Sequence, residues 1–163
     1  MISDQGNGSV ISWMTRTELA YMQSQIACGN EVSATFRFLG DSLNPEALTA
    51  CMTLSPTEAH AKGEAVPKHP KRKYATGYWG LDSTLAPSCA LDDHLQHLLD
   101  RLESRREAIK AIEQSGCSMS FYCAYFVKTL TDNAVQLDPQ TLGRIAALGA
   151  RLELHIYSAV DTA

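Results

Sequence analysis

"LDDHLQHLLDRLESRREAIKAIEQSGCSMSFYCAYFV", residues Leu91 to Val127, changes its period part-way along, and that change sets the fold class. Leu91, Leu95, Leu98, Leu102, Ile109 and Ile112 follow alternating four- and three-residue steps, interrupted only at Arg105. This spacing predicts one long helix with a single apolar stripe. Gly116 supplies its stop, because glycine accepts the left-handed backbone that commonly ends a helix. From Cys117 onward the run is apolar on both faces, which predicts a strand. Phe121, Cys123 and Tyr125 share one of its faces, and Tyr122, Ala124 and Phe126 share the other. A long helix lying across a sheet and feeding one of its strands makes this an α+β domain.

The flanks fill in the rest. "EVSATFRFLG", Glu31 to Gly40, alternates and places Ala34, Phe36 and Phe38 on one strand face. "TGYWGLD", Thr76 to Asp82, predicts another strand. Residues 55 to 73, rich in Pro, His, Lys and Gly, read as loop with at most a short strand. "AVQL" reads as a short strand, Pro139 to Leu148 as a helix and "RLELHIYSA" as a last alternating strand. Near the N-terminus, Thr15 and Glu18 have capping-box spacing, and Leu19, Met22 and Ile26 share a face, so a short amphipathic helix is expected up to Gly29. The expected organisation is an N-terminal extension over 1–30, one domain over 31–158 and a tail over 159–163.

"LNPEAL" (Leu43 to Leu48) and "LDPQTL" (Leu137 to Leu142) echo each other. Each has a capping Asn or Asp, a first-turn proline and flanking leucines, and each follows a strand-like segment. Two such strand-to-helix units joined through the long helix predict a pseudo-symmetric, ferredoxin-like antiparallel sheet, with one long helix and shorter helices packed on it.

Composition narrows the function classes. The chain has 163 residues, 45% hydrophobic and 20% charged, with a formal charge of −4. A net negative field disfavours non-specific binding to nucleic acid or anionic membranes. No apolar run reaches the about 20 residues of a membrane span, and "MISDQGNGSV" lacks the basic region and apolar stretch of a signal peptide, so a cytoplasmic location is expected. The five cysteines (Cys28, Cys51, Cys89, Cys117 and Cys123) form no CxxC pair and predict neither a disulfide framework nor a zinc site. There is no Gly-rich phosphate loop and no nucleophile elbow, so no catalytic residue and no cofactor is assigned.

Three groups of residues invite a functional reading. The basic run "KHPKRK", Lys68 to Lys73, precedes "ATGYWGLDS", Ala75 to Ser83. Here His60, Lys62, Arg72, Tyr78 and Trp79 could hold a carboxylate, a phosphate or an acidic surface; the opposing reading is a solvated loop leading to a strand whose indole packs inward. Strand alternation puts Trp79 beside Gly77 and Leu81, with Gly77 leaving room for the indole. Trp79 is therefore expected to be buried against the long helix and Tyr78 to be the more exposed ring. Asp93 and His97 stand one helical turn apart, with His94 next to Asp93, and could approach a metal ion; the opposing reading is dipole-complementing acids beside a buried stripe, and no metal site is assigned. The aromatics on the two faces of the strand from Cys117 to Val127 could stack RNA bases, but the Arg/Lys-Gly-aromatic pattern of RNA-recognition modules is absent and a helix-covered sheet would need such rings as core. His155, among Leu152, Leu154 and Ile156, reads as structural.

"FRFLGDSLNPEALTACMTLSPTEAHAKGE", "TGYWGLDS", "LDDHLQHLLDRLESRREAI" and "LDPQTLGRIAALGARLELHIYS" together resemble the bacterial domain-of-unknown-function family forty-two seventy-nine. The resemblance runs from about Glu31 to Ser158 and includes Arg37, Pro56, Thr57, His60, Gly63, Gly77 and Trp79; residues Ile2 to Asn30 lie outside its pattern. It implies a fold and a bacterial origin, and no reaction. The function expected is a non-catalytic cytosolic binding module engaging a protein partner, such as an immunity- or antitoxin-like protein. A small anionic-ligand binder or enzyme using the basic loop beside Trp79, or a nucleic-acid binder, are the alternatives, and a homodimer is possible through an exposed sheet edge.

Overall fold

Val32, Ala34, Phe36 and Phe38 are the seed of the sheet: in the computed structural model all four are buried, and their strand, β1 (Glu31–Gly40), is its central strand. The structure describes residues 30–67, 69–128 and 134–158. The helix expected before Gly29 and the tail over 159–163 lie outside the described residues.

On either side of β1 run β5 (Gly77–Asp82) and β6 (Ser118–Val127), both antiparallel to it. The short β2 (Glu58–His60) pairs antiparallel with β5, and β7 (Arg151–Ser158) pairs parallel with β6. The order across this mixed five-stranded sheet is β2-β5-β1-β6-β7. The expected all-antiparallel, ferredoxin-like arrangement is corrected here. A parallel neighbour requires a crossover connection, and the helix α4 (Pro139–Ala147) supplies one between β6 and β7.

The echoed units share chemistry but not destination. Asn44 Oδ1 accepts from the backbone N–H groups of Glu46 and Ala47 at 3.0 and 3.1 Å and starts α1 (Pro45–Met52). Asp138 Oδ1 accepts from Gln140 N at 2.7 Å and starts α4. After α1 the chain goes to an antiparallel edge strand, whereas after α4 it returns parallel to the strand it left.

The long helix is present in two pieces, α2 (Leu91–Leu102) and α3 (Arg106–Gln114), separated by a 3₁₀ turn at Glu103–Arg105. All six residues of the expected stripe are buried. The break falls where the stripe is interrupted, and Arg105 has other work there. Its Nε donates to the Met52 carbonyl at 2.8 Å and its Nη1 to the Arg101 carbonyl at 2.8 Å, so it satisfies the open end of α1. Gly116, with φ +91°, ends α3 as expected.

Two segments differ from their sequence reading. "AVQL", Ala134 to Leu137, is irregular and joins no strand of the sheet. The basic run is not loop: His69–Lys73 forms β4, which pairs with β3 (Ala65–Val66) in a separate hairpin, although every residue of β4 is exposed. Gly63 and Tyr74 close the base of the hairpin, with Gly63 N donating to the Tyr74 carbonyl at 2.9 Å.

The helices bury one sheet face only. Trp79, Leu81, Phe36, Phe38, Phe121 and Cys123 form one cluster with Leu95, Leu98, Leu102 and Ile109 of α2 and α3. No helix of the described residues is long and apolar enough to cross a membrane.

Candidate functional site

Because directly paired residues project to the same side, the register places a second set of side chains on the face away from the helices. One row runs Glu58, Gly80, Arg37, Ser120 and Arg151; the next runs Asp82, Thr35, Tyr122 and Glu153; and a third pairs Ala124 with His155. His60 and Tyr78 stand at one end of the face, and Phe126 and Tyr157 at the other. The expectation that both faces of β6 are core holds for Phe121, Cys123 and Tyr125, while Tyr122 is only half-buried and Phe126 is exposed.

Arg37 organises this open face. Its Nη2 donates to Glu153 Oε2 at 2.9 Å, its Nε to Ser120 Oγ at 3.1 Å, and its guanidinium carbon lies 4.5 Å from the centroid of the Tyr122 ring. A cation on an aromatic face with a carboxylate beside it is a mutually supporting arrangement. Tyr122 in turn shares a hydrogen bond of 2.7 Å with the Tyr157 hydroxyl, and Tyr157 stacks on Phe126 at 5.1 Å. Thr35 Oγ1 donates to Asp82 Oδ1 at 2.6 Å. His155, read from sequence as structural, stands on this face with its ring 4.6 Å from that of Tyr122 and is largely exposed. It is exposed because β7 is an edge strand whose odd-numbered residues face away from the helices.

A stack of rings builds the other end. His60 lies 3.5 Å from Tyr74 and 5.4 Å from Tyr78, nearly parallel to both. Tyr78 leans along its own strand over Gly80: a Cβ at Gly80 would come within 2.3 Å of the Tyr78 hydroxyl. Only glycine lets that ring lie flat between Glu58 and Arg37, the residues paired with Gly80 on either side.

The electrostatics follow from these contacts. Ser120 hydrogen bonding, with Arg37 and His155 adding to it, holds Glu153 below the usual carboxylate range against its desolvation. Burial, with Asp82 and Glu58 nearby, pushes the Tyr78 phenol up, opposed by Arg37. The hydrogen bond to Tyr157 pushes Tyr122 up, and burial adds to it. Under the sheet, burial pushes the Cys123 thiol up to about 12, which keeps it protonated and inert.

The five residues singled out in the sequence do not meet. His60 and Tyr78 share the open face; Trp79 is fully buried on the helical face, as expected, but the helix it is bonded to is α1 and not the long helix: it tilts against Phe38 at 6.0 Å and donates from Nε1 to Thr49 Oγ1 at 3.0 Å. Lys62 pairs with Asp41, holding that carboxylate below its usual range, and Arg72 is exposed on the hairpin. The room left by Gly77 goes to the β1–α1 turn instead of the indole, because a Cβ there would stand 2.7 Å from the Gly40 carbonyl oxygen and 2.9 Å from Leu43 Cβ. A shallow groove of about 470 Å³ between α1 and β2 is lined by Pro45, Glu46, Thr49, Ala50 and Ala59, with none of the five in its wall. His94 and His97 both turn to Ser83, whose Oγ lies 3.0 Å from His94 Nδ1 and 3.3 Å from His97 Nδ1. Among the described residues no group of three or more His, Cys, Asp or Glu side chains could hold a metal ion.

Sequence reasoning missed Arg37, Ser120, Tyr122, Glu153 and Tyr157 as a group. The signal was present as polar and aromatic residues at alternate positions of three strands, but Arg37 and Glu153 are 116 residues apart and only the register joins them.

The family model described as "Domain of unknown function (DUF4279)" matches residues 30–159, which is most of the chain. The chain belongs to the DUF4279 family. The match begins at the edge of β1 and ends just beyond β7, so the whole described sheet is the family's domain. No curated protein and no solved structure matches the chain.

Proposed function

We propose that this DUF4279 domain is a non-catalytic binding module that engages a protein partner through the open face of its sheet. The observation that carries this reading is the face itself: Arg37, Tyr78, Tyr122 and Tyr157 stand exposed or half-buried, with Arg37, Tyr122 and Tyr157 held by one another and Tyr78 by His60. Tyrosine and arginine are the side chains that dominate protein–protein hot spots, and groups already ordered lose little entropy on binding. The shifted ionisations also favour recognition over acid–base chemistry. Glu153 is held low while Tyr78 and Tyr122 are pushed high, so each moves away from the near-neutral value a proton-transfer group needs. With a net charge of −4 the domain suits a basic partner, as an immunity- or antitoxin-like protein would.

The test is co-expression of the tagged protein with the products of its neighbouring genes. A stoichiometric complex is expected, and Tyr122→Ala/Tyr157→Ala should lose the partner while still unfolding in a single cooperative transition, with a melting temperature lowered only by the contacts these rings make with Arg37 and Phe126. A partner retained at full affinity by that variant, or no complex with any neighbouring product, rejects the reading.

A second reading rests on β4, whose five residues "HPKRK" are all exposed on the hairpin. A polyanion bound there would show an affinity falling steeply with salt. Absence of binding to DNA and RNA at low ionic strength removes this reading.

A further inference from the structure

The exposed apolar surface is gathered at one edge of the sheet. Among the described residues, the large hydrophobic side chains left exposed are Phe126, Leu142, Leu154, Ile156 and Tyr157, all on β6, α4 and β7. β7 is the last strand of the order, and no described strand lies on its outer side. Leu152, Leu154 and Ile156 point to the helical face, paired with Phe121, Cys123 and Tyr125 of β6. The cover runs out along them: Leu152 packs against the core, Leu154 is 41% exposed and Ile156 is 64% exposed. An eight-residue edge with no proline, lysine or bulge is an open template for another strand.

We infer that two copies of this chain join β7 to β7, antiparallel, about a two-fold axis passing beside Leu154 and perpendicular to the sheet. The sequence of β7 is self-complementary about that residue. In this register Leu154 faces its own copy and Leu152 faces Ile156 on the helical side, while Glu153 faces His155 and Arg151 faces Tyr157 on the open side. Neighbouring registers are worse. An axis at Glu153 sets two carboxylates directly opposite each other, and an axis at His155 sets Leu152 against Ser158. The joined sheet covers Leu154 and Ile156 and makes the two open faces continuous. The inference rests on the edge strand and not on the proposed partner; because Tyr157 stands at both surfaces, it is tested on the protein alone.

Sedimentation equilibrium of the full chain tests it, and twice the 17.8 kDa of one chain is expected. Ile156→Lys places a charge against the other copy's Leu152 and should give a folded monomer. The register has its own test, in a background with Cys28, Cys51 and Cys89 changed to serine. Leu154→Cys should form a disulfide-linked dimer on mild oxidation, because directly opposed strand residues bring their Cβ atoms to about 4.5–5.5 Å, within reach of a disulfide after small adjustment. Leu152→Cys should not link to itself but should link to Ile156→Cys when the two are mixed. A full-length monomer at all concentrations, a dimer that survives Ile156→Lys, or self-linking at 152 in place of 154 each overturns the inference. A full-length monomer in which Ile156→Lys is strongly destabilised also overturns it, because Ile156 would then be covered within one chain.

Discussion

Replacing Trp79 with alanine should act on stability, and the structure sets the scale. The indole is fully buried, so its truncation belongs with buried Trp-to-Ala changes that cost about 3–5 kcal/mol. It also ties β5 to α1 through the bond to Thr49 Oγ1, and losing that bond accounts for about 1 kcal/mol of the total. Against a typical total stability of about 5–15 kcal/mol this is a large fraction. At roughly 2–4 °C per kcal/mol for a chain of this size, the melting temperature should fall by about 6–20 °C. Trp79→Phe, which keeps most of the apolar contact, should recover all but about 1–2 kcal/mol. Urea unfolding followed by far-ultraviolet circular dichroism gives the three free energies directly. Tyr78→Ala is the control from the same strand: its ring stands on the open face and should cost much less. If Trp79→Ala unfolds within 1 kcal/mol of the parent, the assignment of the indole to the core is wrong, and with it the division of β5 into a helical and an open face.

Further outcomes follow from the same two faces. Gly77→Ala should destabilise by about 1–3 kcal/mol, because the new Cβ meets the backbone of the β1–α1 turn; Gly80→Ala should cost less while swinging the Tyr78 ring off the face, seen as a change in the near-ultraviolet spectrum. Burial holds His94 below its ordinary value of 6.5, so the unfolded chain takes up its proton first and stability should decline as pH falls below that value; His94→Gln should flatten this dependence in denaturant midpoints measured across the range. Glu153, held low, contributes stability that is present above its ordinary value of 4.5 and lost as pH falls through its lower folded value. In a double-mutant cycle at neutral pH, Arg37→Met and Glu153→Gln should couple by about 1 kcal/mol, the upper end for a partly solvated pair, and a coupling near zero would contradict the ion pair.

The elements were legible where local chemistry fixes them. The capped starts at Asn44 and Asp138, the six-residue stripe of the long helix and the alternation of β1 are properties of short windows, and each appears in the structure. The break at Arg105 was visible as an interruption, but the partner that Arg105 serves there is a carbonyl at Met52, 53 residues away. Strand order failed for the same reason. Two similar capped helices do not reveal that one is followed by an antiparallel edge and the other by a parallel return. The open face was the least legible part. Residues such as Ser120, Tyr122 and Glu153 gain meaning only once β1, β6 and β7 are in register, so attention fell on the basic run and Trp79, which stand out in one dimension.

The central position of β1 has a consequence for how the chain is made. It is the first described strand to be synthesised, yet both of its neighbours come late: β5 ends at Asp82, and the partner of Glu31 on β6 is Phe126. Until then Phe36 and Phe38 have no second strand beside them, and the core cannot close. Contacts this distant in sequence slow folding and leave apolar strand surface open in the meantime. The nascent domain therefore passes the stretch from Asp82 to Phe126 as a half-sheet, and its demand on chaperones should be set by the time taken to reach β6.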